Sequence, residues 1–172
     1  MHQITSKSEL FAAIEQIHID CFKLCKQAMG RYLPVAGNIG VFCHYGQEYD
    51  LLTKIREELT EPSTNPNQKY YLLREPITIG TRGDMPKTAY THLYIRKPDP
   101  SSAGRYAGDI DFVLPDDAYA TLKASIVKGT IIKGSQIYDR PGWDMIELAD
   151  PSIGSVAYIG TDLMTKKLRV RF

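Results

Sequence analysis

Tyr90–Leu114 reads YTHLYIRKPDPSSAGRYAGDIDFVL, and this stretch decides the fold. Two alternating runs, Tyr90–Lys97 and Gly108–Leu114, flank a loop rich in Pro, Ser and Gly. Alternation is the mark of a strand with one covered face and one different face. In the first run Thr91, Leu93 and Ile95 take one side, and His92, Tyr94 and Arg96 the other. In the second, Ile110, Phe112 and Leu114 form the apolar side, opposite Asp109, Asp111 and Val113. Side by side, the strands place an imidazole, a phenol, a guanidinium and two carboxylates on one sheet surface. That surface is the leading candidate site.

Composition sets the class. The chain has 172 residues, 43% hydrophobic and 24% charged, which suits one soluble globular domain with a sizeable core. Lys+Arg of 21 against Asp+Glu of 20 leaves a net charge of +1, so no global field favours nucleic acid or an anionic membrane. No apolar run nears the roughly 18 residues of a membrane span. The start, MHQITSKSELFAAIEQ, lacks the apolar centre of a signal peptide. Three cysteines, an odd number, suit reduced thiols. The expectation is a cytoplasmic protein.

Upstream, Ser6-Lys-Ser-Glu9 has capping-box spacing and opens a helix with its stripe at Leu10, Phe11, Ile14, Ile17, Cys21, Leu24, Cys25 and Ala28, stopped by Gly30. His18, Cys21 and Cys25 share one face there. Three soft ligands suit a metal, but small buried cysteines in a core explain them better. Gly37–Gly46 reads as a strand, Gln47–Leu59 as an amphipathic helix and Tyr70–Ile79 as a strand with Pro76 at an edge or bulge. Downstream, Pro115-Asp116-Asp117 starts a helix over Ala118–Lys128. Strands follow at Ser135–Arg140, Trp143–Ala149 and Ser155–Gly160, with turns at Pro141-Gly142 and Asp150-Pro151-Ser152. The tail, Lys166–Phe172, alternates Leu168, Val170 and Phe172 with cations and reads as a last strand.

The predicted architecture is α+β: one domain over 1–172, with an N-terminal helical arm (1–30) and two βαβββ-like modules (37–97 and 107–172) in a mainly antiparallel sheet. Helices cover one face, and the open face curls around a cleft.

Gly37–His44 and Ala107–Pro115 (AGDIDFVLP) resemble segments of the vicinal-oxygen-chelate superfamily, the glyoxalase and dioxygenase relatives. A bacterial subgroup of it carries an extra N-terminal helix, as Ser6–Gly30 would here. The resemblance implies a divalent metal (Zn, Mn, Ni or Fe) held by His or Glu from the first and last strands of the modules. Carried over, the first-strand position falls on Asn38, with His44 further along, and its counterpart falls near Asp109 or Asp111. His92 and Glu147 take the late-strand positions. The implied ligands are thus His92, Glu147 and His44. His92, Asp111 and Tyr94 would be catalytic, and Arg96, Tyr94 and Asp109 would bind substrate, Arg96 by a bidentate contact to a carboxylate. The chemistry would be metal-assisted polarisation of a carbonyl or enediol.

Two other readings stand beside it. Arg96, Lys97, Arg105, Lys166, Lys167, Arg169 and Arg171, interleaved with Tyr94 and Tyr106, suit a non-catalytic module for a protein or RNA partner, though such runs are more often solvated faces. His44 and His92 suggest a two-histidine phosphoesterase, but the Ser or Thr expected two residues later is Gly46 and Tyr94. The expected partner is a small-molecule ligand, with a homodimer as the further candidate and neither membrane nor nucleic acid.

Overall fold

Ser6 caps the first helix as its spacing predicts: its hydroxyl accepts from the Glu9 N–H. The Glu9 carboxylate reaches back one residue further than a standard box, to the Thr5 N–H at 2.6 Å. Gly30, at φ 68°, closes the helix by donating its N–H to the Lys26 carbonyl. This computed structural model describes residues 3–140 and 143–170.

In chain order the elements are α1 (Lys7–Met29), β1 (Val35–Phe42), α2 (Gly46–Leu59), β2 (Tyr71–Ile79) and β3 (Thr88–Arg96). A short 3-10 turn (Ser102–Arg105) leads to β4 (Gly108–Val113) and α3 (Asp116–Val127). Then come β5 (Ser135–Arg140), β6 (Trp143–Leu148), β7 (Val156–Gly160) and α4 (Asp162–Lys167). Among the described residues the strands form one sheet of order β2-β3-β1-β4-β7-β6-β5.

The α+β class holds, but the sheet is mixed rather than mainly antiparallel. β1 runs parallel to β3, and β4 parallel to β7. Each pair spans a crossover that contains a helix, α2 or α3, as parallel neighbours require. The two blocks meet at the centre, where β1 and β4 pair antiparallel. The first block has the order β-α-β-β and the second β-α-β-β-β, the element order that the individual segments predict.

The tail is the other correction. Lys166 and Lys167 close a helix instead of opening a strand, with Thr161 as the cap accepting from Met164 N–H. Only an isolated bridge between Gln68 and Val170 keeps strand character there among the described residues. Asp162 and Lys166 pair across one helical turn, a contact the extended reading forgoes. The predicted Pro141-Gly142 turn, Arg171 and Phe172 lie outside the described residues.

α1 lies across β1, β4 and β7, and α2 packs on β3. Phe22, Ile39, Leu93, Ile110, Phe112 and Ile159 share the core beneath them. Each such side chain contributes about 1.5–3 kcal/mol by leaving water. Cys21 and Cys25 belong to this core, as the packing reading expects; Cys21 donates its thiol to the Val156 carbonyl. His18 is buried beside them, its Nδ1 2.7 Å from the Tyr90 hydroxyl, and burial lowers its pKa to about 4. Glu48 ties the start of the chain to α2, accepting from the N–H groups of Ile4 and His44. With one face of the sheet covered this way, the polar side of the central strands faces a cleft.

No described helix is long and apolar enough to cross a membrane.

Candidate functional site

Strand register lays the polar side chains out as a grid. Tyr94 on β3 lies opposite Gly40 on β1, which lies opposite Asp109 on β4. One step along, Asp111 pairs with Tyr158 on β7, Tyr158 with Glu147 on β6, and Glu147 with Gln136 on β5. On the far side of β4, His92 pairs with Asn38. Above these rows lies a cleft of about 550 Å³. Asp109, Asp111 and Glu147 form its floor, all buried. Tyrosines 70, 94, 106, 138 and 158 wall it, and Lys69, Arg96 and Arg105 stand at its rim.

The two aspartates sit two residues apart on one strand, so both carboxylates rise from the same face. Asp109 accepts from the Tyr70 hydroxyl through both oxygens, at 3.0 and 3.3 Å. It lies so close over β1 that a Cβ on Gly40 would stand 2.1 Å from its Oδ1, which is why glycine occupies that position. Asp111 Oδ2 accepts from Asn38 Nδ2 at 3.0 Å. Asn38 is held in turn: its Nδ2 also donates to the Thr165 carbonyl, and its Oδ1 accepts from Arg169 Nε at 3.0 Å. Asp111 Oδ1 is buried and has no hydrogen-bond partner.

Burial raises the pKa of both carboxylates, and the neighbouring Asp109 charge adds to the effect on Asp111, which is pushed up to about 7. Two buried like charges this close call for one compensating positive charge. The charges of Lys69 and Arg169 supply part of it, opposing the rise on Asp111.

The tyrosines pair off, with Tyr70 and Tyr94 ring centroids 5.2 Å apart and Tyr138 and Tyr158 5.6 Å apart. Lys69 Nζ stands 5.2 and 5.0 Å from the Tyr70 and Tyr94 rings. Arg96 stacks on Phe42, its guanidinium carbon 4.4 Å from the ring centroid, and pairs with Asp99 of the loop that follows β3. Arg105 donates to the Tyr106 hydroxyl at 2.7 Å. The cleft is therefore polarised, acids below and cations above.

Of the residues the sequence singles out, Tyr94, Arg96, Asp109, Asp111 and Glu147 all line this cleft. His92 does not. It sits where Arg169 covers the sheet, its Nδ1 2.9 Å from Thr91 Oγ1, with its pKa lowered to about 4 by burial and then by the Arg169 charge. His92 and Glu147 lie on strands four steps apart, about 19 Å at the usual spacing. His44 follows the end of β1, its backbone held by Glu48 at the start of α2. The structure thus does not bring His92, Glu147 and His44 together as one ligand set. No group of three or more His, Cys, Asp or Glu among the described residues is placed to hold a metal ion. The basic tail is also engaged internally: Arg169 on Asn38 and the Ala36 carbonyl, Lys166 on Asp162.

Sequence reasoning passed over Lys69, Tyr70, Tyr138 and Tyr158. The signal for Tyr158 was present, since it alternates with the apolar Ala157 and Ile159 within β7. Lys69 and Tyr70 precede β2, and the Arg169 carbonyl accepts from both of their N–H groups, holding them beside the cleft.

Comparison of the chain with protein-family models, curated proteins and solved structures finds no match.

Proposed function

We propose that this chain binds a small, dipolar, anionic ligand in the cleft on the open sheet face. The observation that carries the reading is Asp111, a residue lining an open, polar cleft whose Oδ1 is buried and without a partner. Native structures rarely leave such an atom unsatisfied, and a ligand donor or cation there would satisfy it. Arg96, Arg105 and Lys69 would take the ligand's anionic end at the rim, and the tyrosine walls its ring or hydrocarbon body. Arg96 is paired with Asp99, so an anionic ligand would share or displace that contact.

The wide separation of His92, Glu147 and His44 argues against carrying over a chelate mechanism through those residues. The internal engagement of Arg169 and Lys166 weakens the case for a nucleic-acid face on the tail.

Thermal melts with millimolar inorganic phosphate, pyrophosphate and citrate test the proposal. A rise in melting temperature with at least one of them, lost in Arg96→Gln, supports it. No rise with any of the three, or a rise that Arg96→Gln retains, refutes it.

A further inference from the structure

Resting on that reading, we infer that Asp109 and Asp111 form a divalent-cation site, and that the cleft takes a phosphorylated ligand as its magnesium or manganese complex. Two features support this beyond the presence of two acids. The first is that Asp111, 1% exposed and among the residues lining the cleft, keeps a buried Oδ1 without a partner. The second is how the pair is held. Tyr70 fixes Asp109, Asn38 fixes Asp111 through its other oxygen, and Arg169 and the Thr165 carbonyl fix Asn38. Carboxylates steadied by outer hydrogen bonds are the usual arrangement around a bound metal, and Asp111 has an oxygen left over for one.

Magnesium commonly uses only one or two protein carboxylates and completes its shell with water and substrate phosphate oxygens. A two-aspartate floor beneath a rim of Lys69, Arg96 and Arg105 matches that division of labour. The metal would neutralise the buried pair and the inner phosphate oxygens, while the rim cations take the outer ones. An ammonium group on the ligand would satisfy Asp111 as well. The firm orientation of both carboxylates favours a metal, because an ammonium tolerates one freely rotating partner whereas an octahedral ion needs fixed donors.

The test is a Mn²⁺ titration followed by electron paramagnetic resonance, with and without inorganic pyrophosphate, on the full chain. Asp109→Asn and Asp111→Asn should each weaken Mn²⁺ binding by about tenfold or more. Pyrophosphate should tighten Mn²⁺ binding to the wild type about fivefold or more, and Arg105→Gln should lose that gain. Melting curves establish that each variant folds, and if Asp111→Asn does not, Asp109→Asn carries the comparison. Absent Mn²⁺ binding, or binding unchanged in the folded aspartate variants, overturns the inference. If pyrophosphate binds equally well in EDTA and Arg96→Gln abolishes that binding, the anionic-ligand reading survives and the metal site fails. Binding of spermidine that depends on Asp111, with no Mn²⁺ binding, assigns the floor to an amine and overturns the metal. Binding of none of these probes overturns both readings.

Discussion

Asn38 and Asp111 stand on different strands, 73 residues apart in sequence, and share a buried 3.0 Å hydrogen bond. Asn38 also accepts from Arg169 and donates to the Thr165 carbonyl, so one amide joins β1, β4 and the end of α4. Replacing Asn38 with Leu leaves an acceptor on Asp111, a donor on Arg169 and a carbonyl unpaired. Urea unfolding should show a loss on the order of 2–4 kcal/mol, and ligand-induced melting shifts should vanish with it. Loss of stability with unchanged shifts would mean that Asn38 has no part in orienting Asp111.

Gly40 makes a sharper prediction. Its missing side chain is the space Asp109 occupies, and a methyl group there also meets the Phe42 ring at 3.3 Å. Gly40→Ala should cost about 1–3 kcal/mol by overpacking. Adding Asp109→Ala should recover part of that loss, because the closest clash is with the Asp109 carboxylate. A double variant no more stable than Gly40→Ala alone would place the strain elsewhere.

The buried aspartate pair lowers stability as pH rises. Asp111 keeps its proton to about pH 7 in the folded state but releases it near 4 when unfolded. Between those values the folded state binds more protons, so stability declines with rising pH, and the full cost is present above 7. Asp111→Asn removes this cost. It should stabilise the protein by on the order of 2 kcal/mol at pH 8, several degrees in melting temperature, and by much less at pH 4. An equal effect at both pH values would show that burial does not hold the Asp111 carboxyl above its ordinary value. A residue that lowers stability where it stands is characteristic of a binding site.

His18 acts in the opposite sense. Its pKa is lowered to about 4 by burial, with Arg82 adding to the effect and Glu15 opposing it. The unfolded chain takes up this proton near 6.5, so the contribution is lost as pH falls from 6.5 towards 4. Melting temperature against pH should flatten on that limb by about one proton in His18→Gln. The amide retains a partner for Tyr90. His92, also lowered to about 4, gives the same sign independently. An unchanged acid limb in His18→Gln would show that the ring is already solvated.

Much of the site's chemistry was legible before the fold was known. Alternation alone places Asp109 with Asp111 and Tyr94 with Arg96 on matching faces, because period two fixes facing wherever a strand is half covered. Ser6 and Gly30 mark α1 for equally local reasons. Strand order was not legible. Short loops between the later strands suggest meanders, yet β7 skips past β5 and β6 to lie beside β4, a pairing no local signal encodes. The same gap explains the histidines: His92 has the right facing, but four strand steps separate it from Glu147. In the tail, the alternation of Leu168, Val170 and Phe172 concealed a helix already signalled by Thr161, Asp162 and Lys166.

The antiparallel seam between β1 and β4 has a consequence for synthesis. β1 ends at residue 42 and its partner begins at 108, so a growing chain carries β1 with an open hydrogen-bonding edge until β4 emerges. An apolar strand with an unpaired edge is a template for association with other chains. Closing so long a loop is also slow relative to forming local structure. Val35–Phe42 is thus the segment most open to wrong pairing during synthesis, and the cleft cannot exist until the second half of the chain has docked against it.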